Sequence, residues 1–437
     1  MQRIDALICP RWTIRVEPRV EVETGMALAV DGGKIVAVLP VGEADARFTA
    51  TARHERPRHV LLPGLVNAHT RAGMTLLRGY ADNLPVEQWQ ARIRRAESRW
   101  MSPELVADGT RLAIAEMLRG GITCFSDTYY YPDVVGEVAL ECGMRVSLGM
   151  IAREEPSAWA ADADEYILKG LAVHDRYKGE ALISTSFAPY DLQRVSGATL
   201  QRIRQLADEL ELPIHVSLHE TAAAIEHAMA DAGCRPLARM HELGLVTPAL
   251  VGVHATHLIP AEIELLGEAG ASIVHCPRSN LKLASGACRI ADLRSAGVNV
   301  ALGTDSAAAN NRLDLWSELN VAALFGNFVA DDPTAISPAA AIEMATVSGA
   351  RSMNLADQIG SLVPGKCADV ICVDLSELAL RPLLDPLSQL VYAAARHNVT
   401  DVWIAGEHLL ADGDFVRLDG DVIGSAAQDW ERRLSDE

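Results

Sequence analysis

Residues able to do chemistry recur in this chain at the ends of short apolar runs. In order these are His69 and Arg71, Asp127, Tyr190, the alternating set His215, Ser217 and His219 with Glu220 behind it, His254 and His257, His275 with Ser279 and Asn280, and Asp305. Histidine, glutamate and aspartate gathered at one place can move protons to and from a reacting group. His69 and the residue two further on point the same way along an extended backbone, so a second histidine there would make a metal-binding pair. That place holds Arg71, whose guanidinium has no lone pair to offer a metal.

The elements that must position these side chains read as strands alternating with helices. Residues 60–62 are apolar, Pro63-Gly64 interrupts them, and Leu65 and Val66 lead into Asn67 and His69, which predicts a buried strand with a polar tip. Further strands are predicted over 122–125, 144–150, 182–187, 213–219, 250–254, 271–275 and 298–303. Between them fall helical patterns at 105–118, 200–210, 223–232, 261–269 and 290–296, the first opened by Ser102-Pro103-Glu104 and closed by Gly120-Gly121. Repeated βα units over this length predict an α/β protein with a closed (β/α)8 barrel over 61–356, whose C-terminal strand ends carry the chemistry. A doubly wound open sheet is the other possibility, but no glycine-rich phosphate loop follows an early strand. Residues 1–60 and 357–437 are β-rich and are expected to pair into one small β-sandwich domain.

Bulk properties narrow the function classes. The 437 residues are 49% hydrophobic and 22% charged, as in an ordinary folded enzyme, and the formal charge of -19 argues against nucleic acid or an anionic membrane as partner. No apolar run reaches the roughly 18 residues of a membrane span, and the first ten residues do not read as a signal peptide. The eight cysteines are scattered through apolar runs without a Cys-x-x-Cys pair, which predicts buried, reduced thiols and a cytoplasmic protein.

Longer motifs carry a resemblance. Pro63 to Thr70, Met74 to Asp82, Glu116 to Thr123, His275 to Gly286, Leu302 to Asp305 and Gly360 to Asp369 together resemble the amidohydrolase superfamily. Within it the chain is similar to the chlorohydrolase and deaminase group, which includes triazine hydrolases and methylthioadenosine/S-adenosylhomocysteine deaminases. The resemblance implies one zinc or iron ion held by His-x-His after the first strand, a His after the fifth and an Asp after the eighth. It implies a metal-activated water that attacks a ring carbon bearing an amine or halide, a Glu shuttling protons, and a homodimer or homotetramer acting on a small molecule.

On this pattern His69 matches the first metal ligand, Asp305 the last, Glu220 the proton shuttle and His254 the sixth-strand histidine. Glu97 matches a substrate-binding glutamate, and Ser217, His275 and Asn280 are further substrate-binding candidates. Three positions depart: Arg71 and Ser217 stand where the family has ligand histidines, and Tyr190 stands where it has a substrate-contacting histidine. The expectation is therefore a hydrolase acting on a C–N or similar bond of a nitrogen-heterocyclic or nucleoside-like molecule without a metal cofactor. In it Arg71 takes the metal's place and pairs with Asp305, and Tyr190 donates or relays a proton. Two alternatives stay open: a displaced zinc or iron using His215 or His219 with His69 and Asp305, and a metal-independent lyase, isomerase or cyclase, or a non-catalytic ligand-binding protein, on the same scaffold.

Overall fold

A computed structural model describes residues 1–190 and 192–435. Eight parallel strands form the barrel sheet: β1 (Leu65–Thr70), β2 (Ile122–Asp127), β3 (Arg145–Ala152), β4 (Ile183–Pro189), β5 (Ile214–Leu218), β6 (Leu250–His254), β7 (Ser272–His275) and β8 (Asn299–Leu302), each hydrogen-bonded to the next. Every residue of β1, β2, β3, β6 and β7 is buried, the pattern of strands covered by helices on one side and barrel core on the other. The predicted start of the first long helix is correct: Ser102 accepts from Leu105 N at 3.2 Å and Pro103 opens the helix Pro103–Arg119.

The stretch read as one strand from residue 60 belongs to two. Leu61, Leu62 and Pro63 end a long strand, Phe48–Pro63, of a second sheet, and Gly64 turns the chain into β1. That second sheet has nine strands and joins both chain ends: Gln2–Ile14 lies parallel to Phe48–Pro63, which pairs antiparallel with Val370–Asp374. Arg145 of β3 ties it to the barrel, donating from Nε to Asp369 Oδ2 at 2.8 Å and from an Nη to Oδ1 at 3.1 Å, with both side chains buried. No helix among the described residues is long and apolar enough to cross a membrane, and all eight cysteines are free, seven of them buried.

Glu318, in the first turn of the helix Leu315–Ala330, is fully buried and accepts from Arg278 N at 3.1 Å and Asn310 Nδ2 at 2.6 Å. Burial pushes its carboxyl up from 4.5 to about 8, against those hydrogen bonds. Between these values the unfolded chain has released a proton that the folded chain keeps, so this residue's contribution to stability falls as pH rises through that window. The urea midpoint of Glu318→Gln relative to the unmodified protein is expected to rise from pH 5 to pH 8. A pH-independent difference would contradict the assignment.

Candidate functional site

The site begins at the seam where β8 closes on β1. Asn67 Nδ2 donates to Thr304 Oγ1 at 2.8 Å while Thr304 N donates to Asn67 Oδ1 at 3.0 Å, and Asp305 N donates to the carbonyl of His69 at 3.0 Å. Gly303 makes this approach possible, since a Cβ there would lie 2.9 Å from the backbone nitrogen and Cβ of His69. The seam sets His69 beside Asp305, with Nε2 3.8 Å from Oδ1. Asp305 accepts from Ser279 Oγ at 2.6 Å and Ser306 N at 2.5 Å, while the helix after it is capped by Ser306, so Asp305 is not that helix's cap.

His69 Nδ1 lies 3.0 Å from His215 Nε2, and its Nε2 is buried with no hydrogen-bond partner. Burial holds His69 well below the usual histidine range and His215 down at about 3, with Arg71 and neighbouring histidines adding to it. Both rings are therefore neutral near pH 7. His254 at the end of β6 has Nδ1 3.0 Å from Asn280 Nδ2. Since an amide nitrogen only donates, Nδ1 accepts and a neutral ring carries its proton on Nε2.

Backbone conformation marks the same rim. His219 (φ 47°), His254 (71°) and Asp305 (55°) all take the left-handed region at or just beyond the ends of β5, β6 and β8. Such residues cost of order 1–3 kcal/mol each and cluster at functional sites. They bend the chain so that the residues at these ends turn over the barrel mouth.

A cavity of about 480 Å³ opens there, lined by Arg71, Glu97, Tyr190, Ser217, Glu220, His254 and Asp305 among others. With His219, which also lines it, eight of the sequence-derived candidates thus meet around one space. His69, His275 and Asn280 stand behind its wall: His275 is buried with Nδ1 unpartnered, and Asn280 reaches the site only through His254. Glu97 comes from the helix Val86–Trp100, which the sequence reading did not separate, and accepts from Tyr129 Oη at 2.8 Å. Burial raises the Glu97 carboxyl, partly offset by that bond and by the charge of Arg71. Asp127 of β2 accepts from Ala72 N at 2.6 Å and is pushed by burial up to about 7, against that bond and the Arg71 charge.

Arg153 was missed, although it immediately follows β3 as the other candidates follow their strands. It lines the cavity, donates to Tyr130 Oη at 2.5 Å, and its guanidinium carbon lies 5.7 Å from the Tyr190 ring centre.

The expected pairing of Arg71 with Asp305 is not formed. Arg71 follows β1, and its guanidinium carbon lies 5.1 Å from the Tyr190 ring centre on the neighbouring side of the cavity. Its Nε is buried without a partner, and no described carboxylate forms an ion pair with it. Burial opposes its charge, and Tyr190, Asp305, Glu220 and Glu97 together outweigh that and keep it a cation.

The donor set does not fit the four-ligand pattern of the family. His69 and Asp305 remain, Arg71 and Ser217 do not ligate, and among the described residues no group of three or more His, Cys, Asp or Glu is placed to hold a metal ion. The displaced arrangement fails with His219, which turns out of line with His215 and Ser217. Its Nε2 accepts from Leu237 N at 3.3 Å, and its Nδ1 lies 3.5 Å from Glu262.

Comparison with known proteins supplies a correction and a lineage. The chain is 46% identical to an adenosine deaminase from Xanthomonas campestris whose crystal structure has bound zinc, with a TM-score of 0.99 and complete coverage of both chains. The expectation that no cofactor is involved is overturned by this relative, in which zinc is present at so small an evolutionary distance. The chain is also 43% identical over 432 residues to a 5-methylthioadenosine/S-adenosylhomocysteine deaminase of Teredinibacter turnerae, covering 99% of this chain and 98% of that one. Atrazine chlorohydrolase from Arthrobacter aurescens, 20% identical with a TM-score of 0.91–0.92 over 97% of this chain and 99% of the other, shares the fold. The amidohydrolase family model matches residues 60–409, from the strand that leads into β1 to the terminal sheet beyond β8. With the family model matched over residues 60–409 and relatives at 43% and 46% identity covering 99% and 100% of the chain, the chain belongs to the amidohydrolase family.

Proposed function

We propose that the protein hydrolyses an exocyclic C–N bond of a nitrogen-heterocyclic or nucleoside-like small molecule, releasing ammonia. The observation that carries this reading is the meeting of Glu220, His254 and Asp305 at one cavity from the ends of three different barrel strands. Full-length relatives at 43% and 46% identity that bear deaminase names support the reaction class.

In this reading a water molecule adds to the ring carbon that bears the amine. Glu220 takes a proton from that water and passes it to the adjacent ring nitrogen; the remaining hydroxyl proton of the adduct then goes to the amine, the C–N bond breaks, and ammonia leaves as the carbonyl forms. His254, its tautomer set by Asn280, presents Nε2–H to the oxygen that becomes the product carbonyl. Asp305, already accepting from Ser279 and Ser306, faces the same oxygen as a fixed negative charge and acceptor. Glu97, steadied by Tyr129, accepts hydrogen bonds from the far side of the substrate, and Tyr190 with Arg71 forms the wall on which a planar ring rests. Asn280 is a positioning residue here, since it acts through His254.

The test is an ammonia-release screen over aminopurine nucleosides, aminopyrimidines, aminopterins and aminotriazines, with zinc supplied and the products identified by mass. Release of ammonia with gain of oxygen on the ring carbon supports the reading. Binding throughout that panel without ammonia release in any case would overturn it.

A further inference from the structure

Arg71 is a half-buried cation on the wall of the cavity, and nothing in the reaction outlined above consumes its charge. Of the carboxylates whose charge reaches it, Asp305 is held by Ser279 and Ser306 and Glu97 by Tyr129, and Glu220 is the one the proposed reaction uses as its base. Its Nε is buried without a partner, and no described carboxylate forms an ion pair with it. Its guanidinium carbon lies 5.1 Å from the Tyr190 ring centre, so the aromatic ring covers one side of the cation and a ligand meets its N–H donors from the cavity. A half-buried cation with no carboxylate in ion-pair contact leaves charge-assisted hydrogen bonds unmade, and a ligand that supplies an anion makes them.

We infer that Arg71 is an anion-recognising residue and that the ligand is a nitrogen heterocycle carrying a carboxylate directly on its ring. A planar carboxylate matches the two-pronged donor edge of a guanidinium, and attachment to the ring lets the heterocycle lie along Tyr190. The Glu220 and His254 side of the cavity stays free for the reacting carbon. The inference rests on the heterocycle reading proposed above and narrows its substrate class.

Two probe pairs test it by titration calorimetry: orotate against uracil, and pterin-6-carboxylate against pterin. The carboxylates are expected to bind the unmodified protein about 10- to 100-fold more tightly than their uncharged partners, the range for hydrogen bonds to a charged group. Arg71→Gln should erase that preference, bringing the carboxylate and its uncharged partner to equal affinity, while Arg71→Lys, which keeps the charge and loses the fork, should keep only part of it. Cooperative thermal unfolding of each variant separates loss of recognition from loss of fold. Unmodified protein that binds the uncharged rings and shows no carboxylate preference overturns this inference and leaves the proposed function standing. A preference that survives in Arg71→Gln also overturns it and transfers recognition to another cation such as Arg153. Binding of neither member of either pair overturns this inference, and the proposed function is then decided by the ammonia-release screen alone.

Discussion

Replacing Glu220 by Gln is expected to lower kcat/KM by about 10²–10⁴-fold while the ligand still binds, the usual worth of a positioned general base. The change is isosteric and removes only the capacity to take up a proton. The backbone of Glu220 stays held by Thr256 Oγ1, which donates to the Glu220 carbonyl at 2.8 Å. Its side chain makes no ion pair among the described residues, so the unfolding midpoint should not move. A protein with unchanged affinity, unchanged stability and this loss of turnover identifies a catalytic carboxylate. Retention of full turnover in Glu220→Gln would remove Glu220 from the mechanism and leave His254 and Asp305 as the only retained acid–base groups.

The second large effect is on stability. Asp369→Ala is expected to destabilise the protein by about 3–5 kcal/mol, because it strands the buried Arg145 guanidinium without its counterion. Arg145 would keep only its bond to the carbonyl of Ala181, at 2.6 Å, and Ala405 N would lose its acceptor. Chemical denaturation followed by fluorescence reads the loss. Since the pair spans the barrel and the terminal sheet, the variant should also unfold in two separated steps. The apolar double change Arg145→Met with Asp369→Leu should recover most of the stability, since replacing a buried pair is often neutral where breaking one is not. Equal damage from the double and single changes would show that the pair stabilises through its charges as well as its packing.

The barrel was legible because strand and helix periodicity are local properties. Runs such as 122–125 and 250–254 are apolar throughout and flanked by amphipathic helices, and they emerge as β2 and β6 within two residues. The helix Val86–Trp100 was not legible: with three of its fifteen residues buried, its apolar stripe is too sparse to read from sequence. Glu97 was still found, through a motif. The boundary at Pro63-Gly64 was visible, but its meaning was not. Residues 60–62 and 65–66 are equally apolar, and only partner strands assign the first group to the terminal sheet and the second to the barrel.

For the site, the sequence by itself determined which groups are present: Glu220, His254 and Asp305 at strand ends, and Arg71 and Ser217 in place of two histidines. Tertiary structure decided what each group touches. Closure of β8 on β1 sets His69 beside Asp305, the turn at His219 carries that ring away from His215, and Arg71 comes to rest over Tyr190 instead of on Asp305. The physical reason is range. Side-chain identity and strand alternation are set within a few residues, whereas the partner of a buried charge depends on which strand ends the barrel brings together, and those lie as much as 237 residues apart in the chain.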